Sequence, residues 1–215
     1  MSPPKNYFLL LMFAISFLLM SCSRTYMVRT VIPPTDNIYS SYEDKIPGSW
    51  LFALDDSVIN SQRQIKGTYI CAAHNYISDI SNVMAISLSN TIETVFEKTI
   101  KKDPQYINEG QINTEAKGSI LVKLDRLESR LSCRPGLGKG KCSATTEIKI
   151  GIIVNGQKKR LLSSSVDNIG IADGSSGTIC EGAAEVISSS ISRSLQGALE
   201  NIGERLSNSA KLRDL

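Results

Sequence analysis

Apolar residues at every second position predict a series of strands. The clearest alternation covers residues 145–154, where apolar side chains on one face alternate with polar or small ones on the other. Asn155-Gly156 follows, and this dipeptide favours a two-residue hairpin turn because both residues tolerate positive φ. The return strand is predicted over residues 157–166. The pattern predicts three further strands, over residues 49–55, 66–77 and 118–127.

Apolar residues at steps of three and four predict two long helices. The first covers residues 79–101, and Asp103-Pro104 stops it. The second covers residues 179–211. Each helix carries one apolar stripe, so each should lie on a sheet with its other face in solvent. Small residues on the second helix permit a close approach to that sheet: Gly182, Ala183, Ala184, Gly197 and Ala198.

The order of these elements is strand, strand, helix, strand, strand, strand, helix. Hairpins, rather than strict alternation of strands and helices, argue against a doubly wound parallel sheet. The sequence therefore predicts an α+β fold: a two-layer sandwich in which a mostly antiparallel sheet of about five strands carries two long helices on one face. Residues 103–117 and 167–178 are predicted to be loops, and Ser188-Ser189-Ser190 is expected on an exposed edge of the last helix.

The start of the chain has the pattern of an export signal. Lys5 supplies a positive charge, residues 7–20 are almost entirely apolar, and Ser21-Cys22 closes the run. The apolar run is shorter than the ~20 residues that a membrane-spanning helix requires. Two plain interpretations stay open at this point: a signal peptide with Cys22 as a disulfide partner, and an uncleaved signal anchor.

The last four residues of this signal, Leu19 to Cys22, resemble the lipobox of bacterial lipoproteins. The resemblance implies that residues 1–21 are removed as a signal peptide and that Cys22 becomes the acylated first residue. A single acyl chain gives only marginal binding to a membrane. A lipoprotein cysteine carries several acyl chains, so its anchor should be permanent. Ser23, in place of Asp, implies sorting to the outer membrane with the domain on its periplasmic side. The inner membrane and the cell surface are the alternatives.

Composition places the rest of the chain among globular exported proteins. Residues 22–46 keep no period and contain Pro33-Pro34, so we expect the acylated cysteine to be followed by a tether. Residues 47–215 are long enough for one domain with its own core. The formal net charge of +3 is spread among charges of both signs. Because nucleic-acid binding requires a strongly basic face, no nucleic-acid partner is expected.

The cysteines predict disulfide bonds. If Cys22 is acylated, four of the five cysteines remain, and an even number in an exported protein indicates two bridges. Four cysteines allow three connectivities. We favour Cys133–Cys142, because the short glycine-rich stretch between them can turn back on itself, and Cys71–Cys180 then follows by elimination. No Cys-x-x-Cys spacing occurs, so the cysteines do not indicate a zinc site.

Few side chains are of the kinds that enzymes use. His74 is the only histidine, which excludes a histidine metal cluster, and on a predicted strand it is more typical of a packed residue than of a base. Cys71 and His74 have an odd separation, so on one strand they would point to opposite faces. Asp55-Asp56 is more typical of a turn than of an acid–base pair. No catalytic residue, metal or cofactor is therefore predicted.

A glycine- and lysine-rich loop, residues 134–141, is a candidate contact region. It lacks the GxxxxGK[ST] spacing of a phosphate loop. Arg134, Lys139 and Lys141 on a disulfide-closed loop are candidates for contacts with phosphate groups of lipid or with an acidic partner. The plainer interpretation is a solvated hairpin tip.

Two functions fit this chain. An anchored domain without catalytic groups is typical of a non-enzymatic accessory or structural subunit of a cell-envelope assembly, with edge strands that offer β-augmentation to a protein partner. The architecture, though no motif, is similar to small periplasmic lipoproteins such as the lipopolysaccharide-assembly lipoprotein and the auxiliary lipoproteins of lipid-transport ABC systems, which implies such a role by analogy. The alternative is a module that binds a lipid or small amphiphile on the small apolar face of the last helix.

Overall fold

The computed structural model describes residues 23–33, 37–108, 115–136 and 139–214, so the predicted signal peptide and Cys22 lie outside the described residues. The strands are β1 (Thr25–Val28), β2 (Ile46–Leu54), β3 (Gln62–Lys66), β4 (Asn75–Asp79), β5 (Phe96–Lys101), β6 (Gly118–Arg134), β7 (Lys141–Gly156) and β8 (Arg160–Ser175). The helices are α1 (Asp56–Ile59), α2 (Ser81–Val95), α3 (Pro104–Asn108), α4 (Gly182–Ser207) and α5 (Ala210–Arg213). Within the described ranges, no helix combines the length and the apolar character needed to cross a membrane. This mixture of elements confirms the predicted α+β class.

The main sheet has the strand order β5-β2-β6-β7-β8. β6, β7 and β8 form two long antiparallel hairpins, and Gly118 pairs with Gly156 at one end of the first and Cys133 with Cys142 at the other. β2 pairs in parallel with both β5 and β6, so the sheet is mixed. A second sheet has the order β1-β4-β3. The apolar pattern does not predict this second sheet, because its strands are only 4 or 5 residues long and partly polar.

The hairpin between β7 and β8 forms as predicted, but its turn lies further along the chain. The Gly156 N–H donates to the Lys159 carbonyl at 2.8 Å, which makes Gln157 and Lys158 the central residues. Neither Asn155 nor Gly156 has positive φ. The predicted type I′ turn at that dipeptide is therefore wrong, because the strand pairing continues through it.

Two predicted boundaries within the sheets are also wrong. Residues 167–178 have the composition of a loop, yet β8 continues to Ser175, because its backbone pairs with β7 whatever the polarity of its side chains. Residues 66–77 do not form one strand. They contain the end of β3, a turn over residues 67–74 and the start of β4, which pairs back on β3.

The first long helix is shorter than predicted. α2 ends at Val95, and Phe96 already has extended backbone with φ −103° and ψ 143°. The following residues form β5, where Thr99 pairs with Trp50 at the edge of the main sheet. Phe96 packs on Trp50 with ring centroids 5.2 Å apart. The helical spacing of residues 79–101 continues into β5 by coincidence, and the open edge of β2 decides the conformation.

The main core lies between the sheet and the helices α2 and α4, which pack on the same face and contact each other. Each fully buried Leu, Ile or Phe side chain stabilises the fold by roughly 1.5–3 kcal/mol. The largest fully buried side chains of this core include Trp50, Phe96, Met84, Leu88, Ile92, Ile120, Ile148, Ile150 and Ile152. This packing accounts for the one-sided apolar stripes on both helices.

α4 lies unusually close to β7 and β8. A Cβ atom on Gly170 would lie 2.1 Å from the Ser190 carbonyl oxygen, so only glycine allows this approach. The buried hydroxyl groups of Ser190 and Thr146 form a hydrogen bond of 2.7 Å across the same contact. The expectation that Ser190 lies on an exposed edge is therefore wrong.

The opposite face of the sheet carries a smaller apolar cluster near β2. Residues 103–117 were expected to be loop, but they include α3 at 104–108. Ile107 and Ala116 from this segment cover Leu51, Ala53 and Leu121 of the sheet. This segment therefore closes one end of the outer face.

Residues 29–33 and 37–45, called the strap here, lie along α4. The Ser188 hydroxyl donates to the Arg29 carbonyl at 2.6 Å, and the Asn208 side chain donates to the Tyr39 carbonyl at 3.0 Å. Upstream of the strap, β1 pairs in parallel with β4. The described residues of the tether predicted over 22–46 are thus held against the domain by polar contacts to the backbone, which leave no apolar period.

The close approach of α4 gives a first prediction. Gly170→Ala should lower the free energy of unfolding by about 2 kcal/mol, because the new methyl group meets backbone that cannot move freely. Gly151→Ala is the matched control, since its Cβ meets mainly the flexible side chain of Lys123. Urea unfolding of both variants measures the difference, and equal stability of the two would contradict the assigned role of Gly170.

Candidate functional site

Both disulfides lie together at one end of the main sheet. Cys71 is bonded to Cys180 and Cys133 to Cys142, which are the pairings that the sequence favoured. The sulfur atoms of Cys71, Cys133 and Cys142 lie within 4.8 Å of one another, so the two bridges are neighbours. Disulfide sulfurs offer a metal ion no thiolate. We call this region the disulfide end and define it as the described residues of 67–74, 134–141 and 176–181.

The loop over residues 67–74 is attached firmly to β6. The Thr68 hydroxyl donates to the Leu131 carbonyl at 3.1 Å, and the Ile70 N–H donates to the Cys133 carbonyl at 3.3 Å. Tyr69 between them has φ 52°, which is uncommon for a residue with a side chain. These contacts hold the Tyr69 ring outside the core, where it is 65% exposed.

The three basic residues predicted as a contact site are all exposed at this end. The Arg134 guanidinium lies 5.9 Å from the centroid of the Tyr69 ring, a cation–π distance. Arg134, Lys139 and Lys141 line an open groove together with Asp173. The structure therefore brings the predicted basic residues together with an aromatic ring that the sequence did not single out.

Glu181 supplies the second acidic group beside this groove. Its carboxylate accepts the N–H groups of Ile179 at 2.8 Å and Thr178 at 3.1 Å. These backbone hydrogen bonds, led by that from Ile179, hold the pKa of Glu181 below its ordinary value, and the charge of Lys139 acts in the same direction. Glu181 thus stays ionised and orders the loop that carries Cys180.

The rings of Tyr26, His74 and Tyr76 pack together next to the loop over residues 67–74. The Tyr26 ring stacks on Tyr76 with centroids 5.5 Å apart and meets the edge of His74 at 5.6 Å. The Tyr76 hydroxyl donates to the Cys180 carbonyl at 2.9 Å. His74 Nδ1 accepts the Arg24 N–H at 3.3 Å. His74 is therefore a packed residue that helps to hold β1, as its sequence context indicated.

The paired aspartates lie elsewhere and begin the short helix α1, so the expectation of a plain turn is wrong. Asp55 caps α1, and its carboxylate accepts the Ser57 N–H at 3.0 Å. Asp56 lies in the first turn of that helix, where a negative charge is favourable. Both groups thus have a structural role at a helix N-terminus.

The chain enters the domain at the disulfide end. Thr25 pairs with Asn75, and the Asn75 N–H donates to the Arg24 carbonyl at 3.0 Å. In the sequence, Cys22 precedes Arg24 by two residues. No pattern in the sequence indicates that Arg24 lies beside His74 and Asn75.

Four residues of this region were not singled out from the sequence: Arg24, Tyr69, Ile70 and Ile179. Tyr69 and Ile70 lie in the stretch predicted as a strand and Ile179 begins the predicted helix, so the pattern assigned these residues to regular elements and not to an exposed surface. The available signal was the predicted disulfide pairing, because Tyr69 and Ile70 adjoin Cys71 and Ile179 adjoins Cys180.

No family model and no curated protein matches the sequence. Among solved structures, a DUF330 protein from Xanthomonas campestris is 9% identical with a TM-score of 0.42, covering 88% of this chain and 95% of that one. A protein described as a homolog of neuraminyllactose-binding hemagglutinin from Helicobacter pylori is 8% identical with a TM-score of 0.45, covering 82% and 92%. A minor lipoprotein from Acinetobacter baumannii is 6% identical with a TM-score of 0.41, covering 74% and 90%. Likenesses at such identities and scores do not bear on function.

The two disulfides should differ in their contribution to stability. Replacing Cys71 and Cys180 by Ser opens a loop of 109 residues, and replacing Cys133 and Cys142 opens one of 9. The loop-entropy relation gives losses of about 5 and about 3 kcal/mol respectively. Urea unfolding of the two double variants measures this order, and a larger loss from the short loop would contradict it.

Tyr76 should make stability fall in alkali. Burial, followed by the charges of Tyr26 and Glu181, raises the pKa of Tyr76 from 10.0 to about 12. The native state then holds its proton more tightly than the unfolded chain, so the stabilisation is complete below about pH 10 and is lost as the pH rises through about 12. Unfolding measured at about pH 9 and about pH 12 should show a loss of roughly 2–3 kcal/mol.

Tyr76→Phe removes this ionisation and should flatten the stability curve above about pH 10, while costing about 1 kcal/mol at neutral pH for the lost hydrogen bond. Tyr106→Phe is the matched control, because Tyr106 is 54% exposed. A Tyr76→Phe curve as steep as that of the control would show that another group titrates.

Proposed function

We propose that this chain is a bacterial lipoprotein, held at the periplasmic face of the outer membrane by acyl chains on Cys22, and a non-enzymatic accessory subunit of an envelope assembly. The observation that carries the proposal is the lipobox-like segment Leu19 to Cys22 immediately upstream of a disulfide-bonded domain. Disulfides form in oxidising compartments such as the periplasm, which agrees with export. Ser23 after the cysteine supports the outer membrane as the destination.

The non-enzymatic role is supported by the structural use of the side chains that could act chemically. Cys71 is bonded to Cys180, and His74 Nδ1 accepts the Arg24 N–H. Asp55 caps a helix. A general base or nucleophile needs a free reactive atom near a bound substrate. The three candidate groups instead hold the fold together.

The accessory role requires a surface for a protein partner. The outer edge of β8 is bonded to α4, because Arg205 donates to the Ser165 carbonyl at 3.1 Å and Arg193 donates to the Ile171 carbonyl. The outer edge of β5 carries Lys98 and Lys101, and lysines discourage strand addition. The partner is therefore proposed to bind by side-chain contacts or at the small sheet, and not by β-augmentation of the main sheet.

The small-residue face of α4, which suggested a site for a lipid or small amphiphile, packs against the sheet. Ala183 and Ala198 on the small-residue face of α4 are fully buried in the main core. Gly197 on that helix lies against Asn168 of β8. The small residues are therefore used for contact with the sheet.

The anchor is tested by Cys22→Ser in cells. The variant should incorporate no radioactive palmitate and should leave the outer-membrane fraction, because the thiol that accepts the lipid is gone. Chemical crosslinking in whole cells should recover a protein partner with the wild-type chain and much less of it with the variant.

Cys133→Ser paired with Cys142→Ser is the matched control, since it removes thiols without touching the proposed acylation site. Normal palmitate labelling of Cys22→Ser, or its unchanged fractionation, would refute the anchor. Loss of labelling in the control would show that the label does not report on Cys22.

A further inference from the structure

The point of attachment places one end of the domain against the membrane. Cys22 is two residues from Arg24, whose backbone is bonded to His74 and Asn75 beside the disulfide end. If Cys22 carries acyl chains, as proposed above, the intervening chain is too short to lift this end far from the headgroups. The anchor therefore decides which end of the domain meets the lipid.

Apolar side chains are exposed at that end. Tyr69 is 65%, Ile70 42% and Ile179 45% exposed. Ile70 lies against Gly140 of the β6–β7 loop, because a Cβ on that glycine would lie 2.2 Å from the Ile70 Cδ1 atom. Tyrosine with neighbouring aliphatic residues is the composition that favours the membrane–water interface. The disulfides and backbone bonds keep these side chains outward.

Basic side chains surround these apolar residues. Lys66 lies at this end too, because it pairs with Asn75, the residue that also pairs with the start of β1. Carboxylates also lie near these residues: Asp173 lines the groove, Glu181 lies close to Lys139, and Glu185 is in the first turn of α4. The basic residues are Arg24, Lys66, Arg134, Lys139 and Lys141. Each basic side chain near an anionic leaflet strengthens the binding of the protein to that leaflet about fivefold.

The far end of the sheet is also basic but cannot share this role. The β7–β8 turn carries Lys158 and Lys159, followed by Arg160. β7 separates the two ends by 16 residues, which is about 50 Å at strand spacing. Charges act over only ~8 Å at physiological salt. Charge alone does not distinguish the ends, whereas the position of Cys22 does.

We propose that the disulfide end is a membrane-docking face that lies on a phospholipid leaflet. Tyr69 and Ile70 enter the headgroup layer, and the basic side chains around them contact lipid phosphates. The proposal rests on the acylation of Cys22. It gives the exposed disulfide-closed loop a function and sets the orientation of the whole domain, with the far end directed away from the membrane.

Depth-dependent quenching tests this orientation on the full acylated chain. The protein is reconstituted into vesicles of phosphatidylglycerol and phosphatidylethanolamine with brominated acyl chains. Tyr69→Trp should lose fluorescence in these vesicles, whereas Tyr106→Trp, at a position that is 54% exposed on α3, should not. The native Trp50 is fully buried and gives the same background in both variants.

The charge contribution is tested in the Tyr69→Trp background. Arg134→Ala, Lys139→Ala and Lys141→Ala together should lower the ratio of docked to undocked domains about a hundredfold. Lys158→Ala, Lys159→Ala and Arg160→Ala remove the same charge from the far end and should leave the quenching unchanged. An equal loss in both triple variants would overturn the proposed phosphate contacts.

Vesicle flotation separates the two proposals. A wild-type chain that fails to float with the vesicles would overturn the anchor and the docking face together. A chain that floats, but in which Tyr69→Trp is quenched no more than Tyr106→Trp, would overturn the docking face alone. Quenching restricted to Tyr69→Trp would establish the orientation.

Discussion

The close packing of α4 on β7 and β8 is the contact on which the rest of the structure depends. Gly170 lets the helix backbone approach, and the Ser190–Thr146 hydrogen bond lies inside that contact. With α4 fixed, Ser188 on the helix and Asn208 at its C-cap bind the strap. The strap in turn continues from β1. One helix–sheet contact thereby decides where the chain enters the domain.

The disulfides stabilise the small sheet, whereas the hydrophobic core stabilises the main sheet. β1, β3 and β4 are too short to bury much apolar surface, and isolated small sheets are marginal in water. Cys71–Cys180 joins the loop before β4 to the segment before α4, and Tyr76 closes the junction with its hydrogen bond to Cys180. These bonds give a rigid surface built mostly from loops. Such a surface can hold the Tyr69 side chain in an exposed position.

Function in this chain is proposed to depend on position rather than on reactive groups. Similar basic residues occur at both hairpin ends, and His74 and Asp55 have structural contacts. The acyl chains on Cys22 would bring only one of those ends within reach of phosphate groups. An anchor and a rigid face then suffice to orient the domain, leaving the far end open to a partner.

The sequence by itself determined the α+β class, the two helices on one face, the long hairpin strands and the favoured cysteine pairing. Such features follow from apolar spacing and short loops, which are local. It also placed Arg134, Lys139 and Lys141 on one loop, because they are close together in the chain, and their contact with phosphate groups stays a prediction. Tertiary structure alone decided β1, β5, the parallel pairing of β2 and the contacts of Arg134 with Tyr69 and of Arg24 with His74. Those contacts join distant segments through backbone hydrogen bonds and disulfides, and such bonds impose no periodicity on the side chains that a sequence displays.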